Sequence, residues 1–126
     1  MKYYYSDFWT LKAKEIARQA EMNHIDLERI SVVESKGTKT RRTIARIHTI
    51  GKVMQLGMRQ KPFYTIELVS EQFGKQSEEE KTKTIIHELM HIPYGFGGGF
   101  KHHKNHVTRE NVERMFEKLK AQARIE

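Results

Sequence analysis

The sequence predicts one α+β domain, in which a small sheet is combined with helices near both ends of the chain and in its second half. Three observations favour this class. Segments rich in β-branched and aromatic residues occupy positions 29–34, 41–50 and 62–69. Apolar residues recur at helical spacing near both termini, and a capped helix is expected to follow Ser77. With 126 residues the chain can bury one core and is too short for two, so 1–126 is expected to be a single domain.

The N-terminal half is predicted to hold a helix followed by strands. The helix runs from about Phe8 to Asn23, because apolar residues recur there on one helical face. Arg29–Glu34 is predicted to be a strand, and Arg41–Ile50, where apolar and polar residues partly alternate, a second one. Gly51–Arg59 is compatible with either a short helix or a further strand.

The strongest strand pattern is Pro62–Val69, which contains β-forming residues throughout. Because this strand comes directly before the capped helix, we expect it to form the sheet edge beside the cleft. An extended peptide could pair with such an edge through its backbone. The last helix is predicted to begin after Thr108 as N-cap, with Val107 and Val112 placed as a hydrophobic staple.

The chemistry is concentrated in the His-Glu-x-x-His pattern of residues 87–91. His87 and His91 are four residues apart, so on a helix both imidazoles face the same side and can reach one metal ion. Glu88 lies beside them, where it can bond a metal-bound water without being a ligand. The pattern must therefore lie on a helix. The capping box from Ser77 to Glu80 predicts where that helix begins, and Pro93 marks its end.

A glycine-rich turn after the helix is expected to bring back a third ligand. Four of the eight glycines in the chain lie between Pro93 and Phe100, so this segment can fold back tightly. Three histidines that could supply the ligand follow the turn: His102, His103 and His106. A carboxylate from the next helix, Glu110 or Glu113, is the alternative source.

Composition limits the remaining possibilities. The chain has no cysteine, which excludes disulfides and thiolate zinc sites. No segment approaches the length of a membrane span or a signal sequence, so a cytoplasmic protein without membrane contact is expected. The net charge of +7 is compatible with nucleic-acid binding. The densest basic cluster, which is either a solvated loop or a phosphate-contacting edge, contains Lys36, Lys39, Arg41, Arg42 and Arg46.

A longer set of strings resembles a known family. From about Ile30 to Val112, the chain resembles the metallopeptidase family of phages and archaea, which is similar to the SprT-like zincin peptidases. The matching strings are Ala45-Arg46-Ile47, Tyr64-Thr65-Ile66-Glu67, Ser77-Glu78-Glu79-Glu80-Lys81, the seven residues from His87 to Pro93, and Phe96 with Gly98-Gly99. The resemblance implies a zincin-like fold, with a small mixed sheet, an N-terminal supporting helix, an active-site helix and a C-terminal helix.

The resemblance also assigns the third ligand. The family tends to end the glycine turn with a basic residue, a proline and a histidine. Lys101-His102-His103 matches this slot with His102 in place of the proline, so the third-ligand role goes to His103. His102 remains a rival, and His106 comes after it.

The function expected from the motif and the resemblance together is zinc-dependent hydrolysis of a protein or peptide substrate. His87, His91 and His103 would hold Zn²⁺, Glu88 would act as general base, and Tyr94 or a nearby arginine could supply a second electrophile. The alternative is a non-catalytic zinc-containing module that binds nucleic acid or acts as an adaptor. A peptidase that uses the basic cluster to find its substrate on DNA would combine the two.

Overall fold

The computed structural model describes residues 1–126 and confirms the α+β class. Its sheet has four strands in the order β1-β2-β4-β3, in which β2 and β4 are parallel and the other neighbours antiparallel. The strands are β1 (Lys2–Tyr5), β2 (Ile30–Lys36), β3 (Ala45–Thr49) and β4 (Tyr64–Val69). The helices are α1 (Asp7–Gln19), α2 (Lys52–Met58), α3 (Ser70–Phe73), α4 (Glu78–Met90) and α5 (Arg109–Ile125).

The core lies between the sheet and the three long helices, α1, α4 and α5, which also contact one another. Ala13 and Ala17 of α1 are buried, and their small side chains allow this helix to lie close to β2. The largest fully buried side chains come from the two central strands, from α4 and from the residues that follow it, and include Tyr64, Ile66, Leu68, Ile85, Ile86, Leu89 and Ile92. The His-Glu-x-x-His motif therefore lies on a helix that is part of the core. No helix combines the length and apolarity that crossing a membrane requires.

Most predicted elements are present with shifted ends. α1 ends at Gln19 and not near Asn23. The second strand is confined to Ala45–Thr49, and the ambiguous segment that follows it is helical. β1 was not predicted, because its four residues are all exposed and show no alternation between apolar and polar side chains.

The expectation that the strand before α4 forms the sheet edge is wrong. β4 lies between β2 and β3, and β3 is the edge strand, next to α4. The physical reason is burial. Ile66, Glu67 and Leu68 are all buried, so both faces of β4 are covered, as is typical of a central strand. Both sides of β4 are paired, one with β2 and the other with β3. β3 carries the partly exposed Arg46 and the exposed His48, which suits an edge.

The hydrogen-bonding pattern between β3 and β4 determines which backbone N–H and C=O groups of β3 are left unpaired. The Val69 N–H donates to the Ile44 C=O at 2.9 Å, so residues 44 and 69 form a hydrogen-bonded pair of the antiparallel ladder. Such pairs alternate with non-bonded ones. Ala45 and Ile47 therefore direct their backbone N–H and C=O groups away from β4, toward the open side of the sheet.

Candidate metal centre

Helix α4 positions three of the predicted site residues, His87, Glu88 and His91. Its start is fixed by the predicted capping box, in which the Ser77 hydroxyl accepts from the Glu80 N–H at 3.2 Å and the Glu80 carboxylate accepts from the Ser77 N–H at 2.9 Å. The opposite face of the helix is held by fully buried aliphatic side chains, among them Ile85, Ile86 and Leu89. The motif side chains are therefore left facing the cleft beside β3.

The structure brings His87, His91 and His103 together as one cluster. Each offers a ring nitrogen, and these three nitrogens all lie within 4.8 Å of one another. The ring centroids are 5.2 Å apart for His87 and His91, 5.2 Å for His87 and His103, and 4.6 Å for His91 and His103. The Nε2 atoms of His87 and His103 are 3.3 Å apart. Two nitrogens bound to one tetrahedral ion at about 2.05 Å lie roughly 3.3 Å apart, so the cluster fits a metal ion.

A reciprocal pair of hydrogen bonds orients His91. Its Nδ1–H donates to the Lys101 C=O at 2.7 Å, while its own C=O accepts from the Lys101 N–H, also at 2.7 Å. Because Nδ1 carries the proton, Nε2 keeps its lone pair free. The same bonds fix Lys101 at the end of the glycine turn, and His103 follows two residues after Lys101.

Tyr64 of β4 holds the glycine turn from inside the domain. Its hydroxyl donates to the Gly99 C=O at 2.8 Å and accepts from the Gly98 N–H at 2.9 Å. The ring packs edge-on against Phe96 and Phe100, with centroids 4.9 and 5.9 Å away. A buried tyrosine thus couples the central strand to the loop that delivers the third histidine.

A second set of hydrogen bonds to the glycine turn comes from α2. The Gln55 side-chain amide donates to the Ile50 C=O at 2.7 Å and to the Gly97 C=O at 3.1 Å. The turn passes so close to this amide that a Cβ on Gly98 would collide with it, and Gly98 has a φ of +103°. Glycine is required at this position for both reasons.

The other candidate ligands lie outside the cluster. His102 borders the smaller cavity beside the cluster but is not one of the three histidines whose ring nitrogens converge, and His106 lines a different cavity, together with His24. Glu113 is held by Lys83 at 2.7 Å. Tyr94 lines the same cavity as His106, where the Lys101 Nζ lies 3.6 Å from the centre of its ring, so it does not face the cluster.

Comparison with known proteins identifies the family. The family model described as "Putative phage metallopeptidase" matches residues 1–120. The chain belongs to this phage metallopeptidase family. No curated protein and no solved structure matches it. Family membership implies a metal ion, and the cluster of His87, His91 and His103 could bind it.

The electrostatics of this phage metallopeptidase site favour metal binding at neutral pH. Burial, and next the neighbouring His91 and His103, lower the pKa of His87 to about 4. Burial also lowers the pKa of His91. These two imidazoles are therefore neutral near pH 7, with lone pairs available to a cation.

Glu88 has the opposite shift. Its side chain is buried, and this burial alone raises its pKa to about 7. Its Oε2 lies 3.9 Å from the His87 Nε2, next to the histidine cluster. A carboxyl group with a pKa near neutrality can both accept and release a proton at the pH of the cell.

Two cavities meet at Glu88. One, of about 540 Å³, also touches His87 and Ala45, and the other, of about 340 Å³, touches His91, His103 and Ile47. Together they form a cleft that follows the open edge of β3 past the histidine cluster.

The predicted basic cluster is divided by the fold. Arg46 pairs with Glu67 at 2.8 Å, on the face of the sheet opposite the core, and Lys36 lies 5.5 Å from the Tyr4 ring. Lys39 and Arg41 are exposed in the loop between β2 and β3. Of these basic residues, Arg42 is the one that lines the larger cavity of the cleft.

The residues that hold the histidine cluster in place could not be predicted from the sequence. The sequence predicts a strand that contains Tyr64, but it does not indicate that the hydroxyl of this buried tyrosine bonds to the glycine turn. The Lys101 carbonyl carries no sequence signal, because every residue has such a group.

Proposed function

We propose that this protein is a zinc-dependent peptidase that hydrolyses peptide bonds, with Glu88 as general base. The observation that supports the proposal most directly is the cluster of three imidazole nitrogens within 4.8 Å, next to a buried carboxyl group. The family match to metallopeptidases points in the same direction.

The donor set favours zinc. Three imidazoles without a thiolate or a carboxylate form a typical catalytic zinc site, in which the fourth position is left for water. A bound zinc ion would lower the pKa of that water to about 7 and polarise the scissile carbonyl. His91 is already oriented for this role by the Lys101 carbonyl.

The protein's own groups would then transfer the proton. Glu88 would take a proton from the attacking water and pass it to the nitrogen of the leaving amine. Without a cation, burial raises the pKa of Glu88 to about 7, and a zinc ion beside it would favour the ionised form that a general base needs.

The edge of β3 favours an extended polypeptide as substrate. Ala45 and Ile47 line the two cavities that meet at Glu88, and their backbone groups face away from β4. An extended chain that pairs with this edge would pass directly over Glu88, with its carbonyl groups close to the histidine cluster.

The test compares wild type with Glu88→Gln after loading with zinc. We expect the variant to retain about one zinc ion per chain and to lose hydrolysis of an unfolded protein at least 100-fold. His103→Ala should lose the zinc, whereas the matched control His102→Ala should keep both zinc and activity. A variant Glu88→Gln as active as wild type would refute the mechanism. Zinc-loaded wild type that binds DNA and cleaves no protein would favour the adaptor alternative.

A further inference from the structure

Most of the residues that line the larger cavity of the cleft have no role in the proposed reaction. It has a volume of about 540 Å³ and lies between the loop before β3, the first half of α4 and the first turn of α5. It opens onto His87 and Glu88. A side chain of a substrate bound at Glu88 would therefore have this space beside it.

The cavity carries two guanidinium groups that are free to bind a ligand. Arg42 and Arg109 both line it, both are exposed, and neither takes part in any salt bridge of the protein. Three acidic residues lie on the same walls, and one of them, Glu88, belongs to the proposed catalytic site. Glu113 binds Lys83 at 2.7 Å, and Glu80 accepts from the backbone N–H of the helix cap. Among the charged side chains of the walls other than Glu88, Arg42 and Arg109 are thus the two without a bonding partner.

A further donor and an apolar floor complete the cavity. The Thr84 hydroxyl donates to the Oε1 of Gln76 at 3.0 Å, which leaves the Gln76 NH₂ group available as a donor. Ile44, Ala45 and Val112 supply the apolar part of the lining. Such a cavity suits an aliphatic stem that ends in a carboxylate, because the stem contacts the floor and the charge reaches the donors.

We propose that this cavity is a carboxylate-binding subsite. The protein would accordingly act on peptides that carry an acidic side chain, or a free carboxyl terminus, next to the scissile bond. This inference rests on the proposed peptidase function for its biological meaning. A nucleic acid fits less well: Arg42 and Arg109 offer two partners to a single anionic group, whereas a chain of phosphates would also lie against the acidic side chains of Glu80 and Glu113.

Binding can test the subsite separately from hydrolysis. The protein is the zinc-loaded Glu88→Gln variant, and the probes are fluorescein-labelled, end-blocked alanine-rich octapeptides. Each peptide carries one glutamate or, as the neutral control of the same shape, one glutamine. The series places this residue at every position in turn. We expect one position at which glutamate binds about 3–10-fold more tightly than glutamine, in the range of two partly exposed ion pairs. The same peptides with a free carboxyl terminus separate the two sources of the carboxylate.

Matched variants locate the effect. Replacing Arg42 and Arg109 together by glutamine should bring the glutamate-to-glutamine ratio close to one. Replacing Arg41 and Arg114, exposed neighbours in the same loop and helix that do not line the cavity, should leave it unchanged.

Several outcomes would overturn the subsite. Glutamate and glutamine peptides could bind equally at all positions, with blocked and with free ends, or the preference could survive loss of both arginines. A single-stranded oligonucleotide that binds through Arg42 and Arg109, while peptides show no glutamate preference, would assign the arginines to phosphate. If the preference is found but zinc-loaded wild type cleaves no peptide, the subsite holds and the proposed peptidase function fails.

Discussion

Tyr64→Phe should weaken the metal centre without touching a ligand. The substitution removes one oxygen atom, which donates to the Gly99 C=O and accepts from the Gly98 N–H. The phenyl ring can keep its edge-on contacts with Phe96 and Phe100. The change is therefore confined to the two hydrogen bonds that hold the glycine turn.

The magnitude follows from those bonds. Each typically contributes about 0.5–1.5 kcal/mol, so the loss of both should lower the free energy of unfolding by about 2 kcal/mol. For a domain of this size that corresponds to a decrease in Tm of roughly 5–10 °C. Because the same turn supplies the carbonyl that orients His91, zinc affinity should also fall, by about 10–100-fold.

Urea unfolding and a competitive zinc titration measure the two effects. Tyr3→Phe is the matched control, since Tyr3 is 63% exposed on the edge strand β1 and the same substitution should change neither quantity. Equal stability and equal zinc affinity of wild type and Tyr64→Phe would show that the tyrosine does not position the turn.

Three further changes have defined outcomes. In the metal-free protein, burial raises the pKa of Glu88 to about 7, above that of a glutamate in the unfolded chain. The contribution of Glu88 to the free energy of unfolding is therefore fully present below the pKa of the unfolded glutamate, and it is lost as the pH rises through 7. Urea unfolding with a chelator should therefore show Glu88→Gln gaining up to about 3 kcal/mol over wild type between about pH 5 and 8, and a constant difference would contradict the shift. Gly98→Ala should cost about 1–3 kcal/mol because of its positive φ and the nearby Gln55 amide, whereas Gly99→Ala, with open space around its Cβ, should be nearly neutral in thermal unfolding. Ser77→Ala should cost about 1 kcal/mol by the same measurement, since it removes the side-chain bond of the capping box, and no loss would mean that the cap is replaced by water.

Local patterns in the sequence predicted the helices around the site well. The capping box at Ser77 and the N-cap at Thr108 are both present in the structure, because such motifs involve residues within one helical turn. The spacing of His87 and His91 likewise determined their common face. His103 lies next to this pair, and its role as third ligand, which the family resemblance implied, stays a prediction.

Strand order could not be predicted in the same way. Whether β4 or β3 forms the edge depends on which strand finds partners on both sides, and no local pattern reports this. The hydrogen bonds from Tyr64 and Gln55 to the glycine turn also join residues more than 30 positions apart in the chain. Such contacts follow from the packing of the whole domain.

The link between His91 and Lys101 has a consequence for how the site fails. Both bonds of this link end on main-chain atoms of the loop, so the imidazole keeps its orientation only while the loop is closed. Loops of this kind open with less free energy than the buried sheet and helices beneath them. Warming should therefore disrupt the histidine cluster at a temperature where the rest of the domain is still folded.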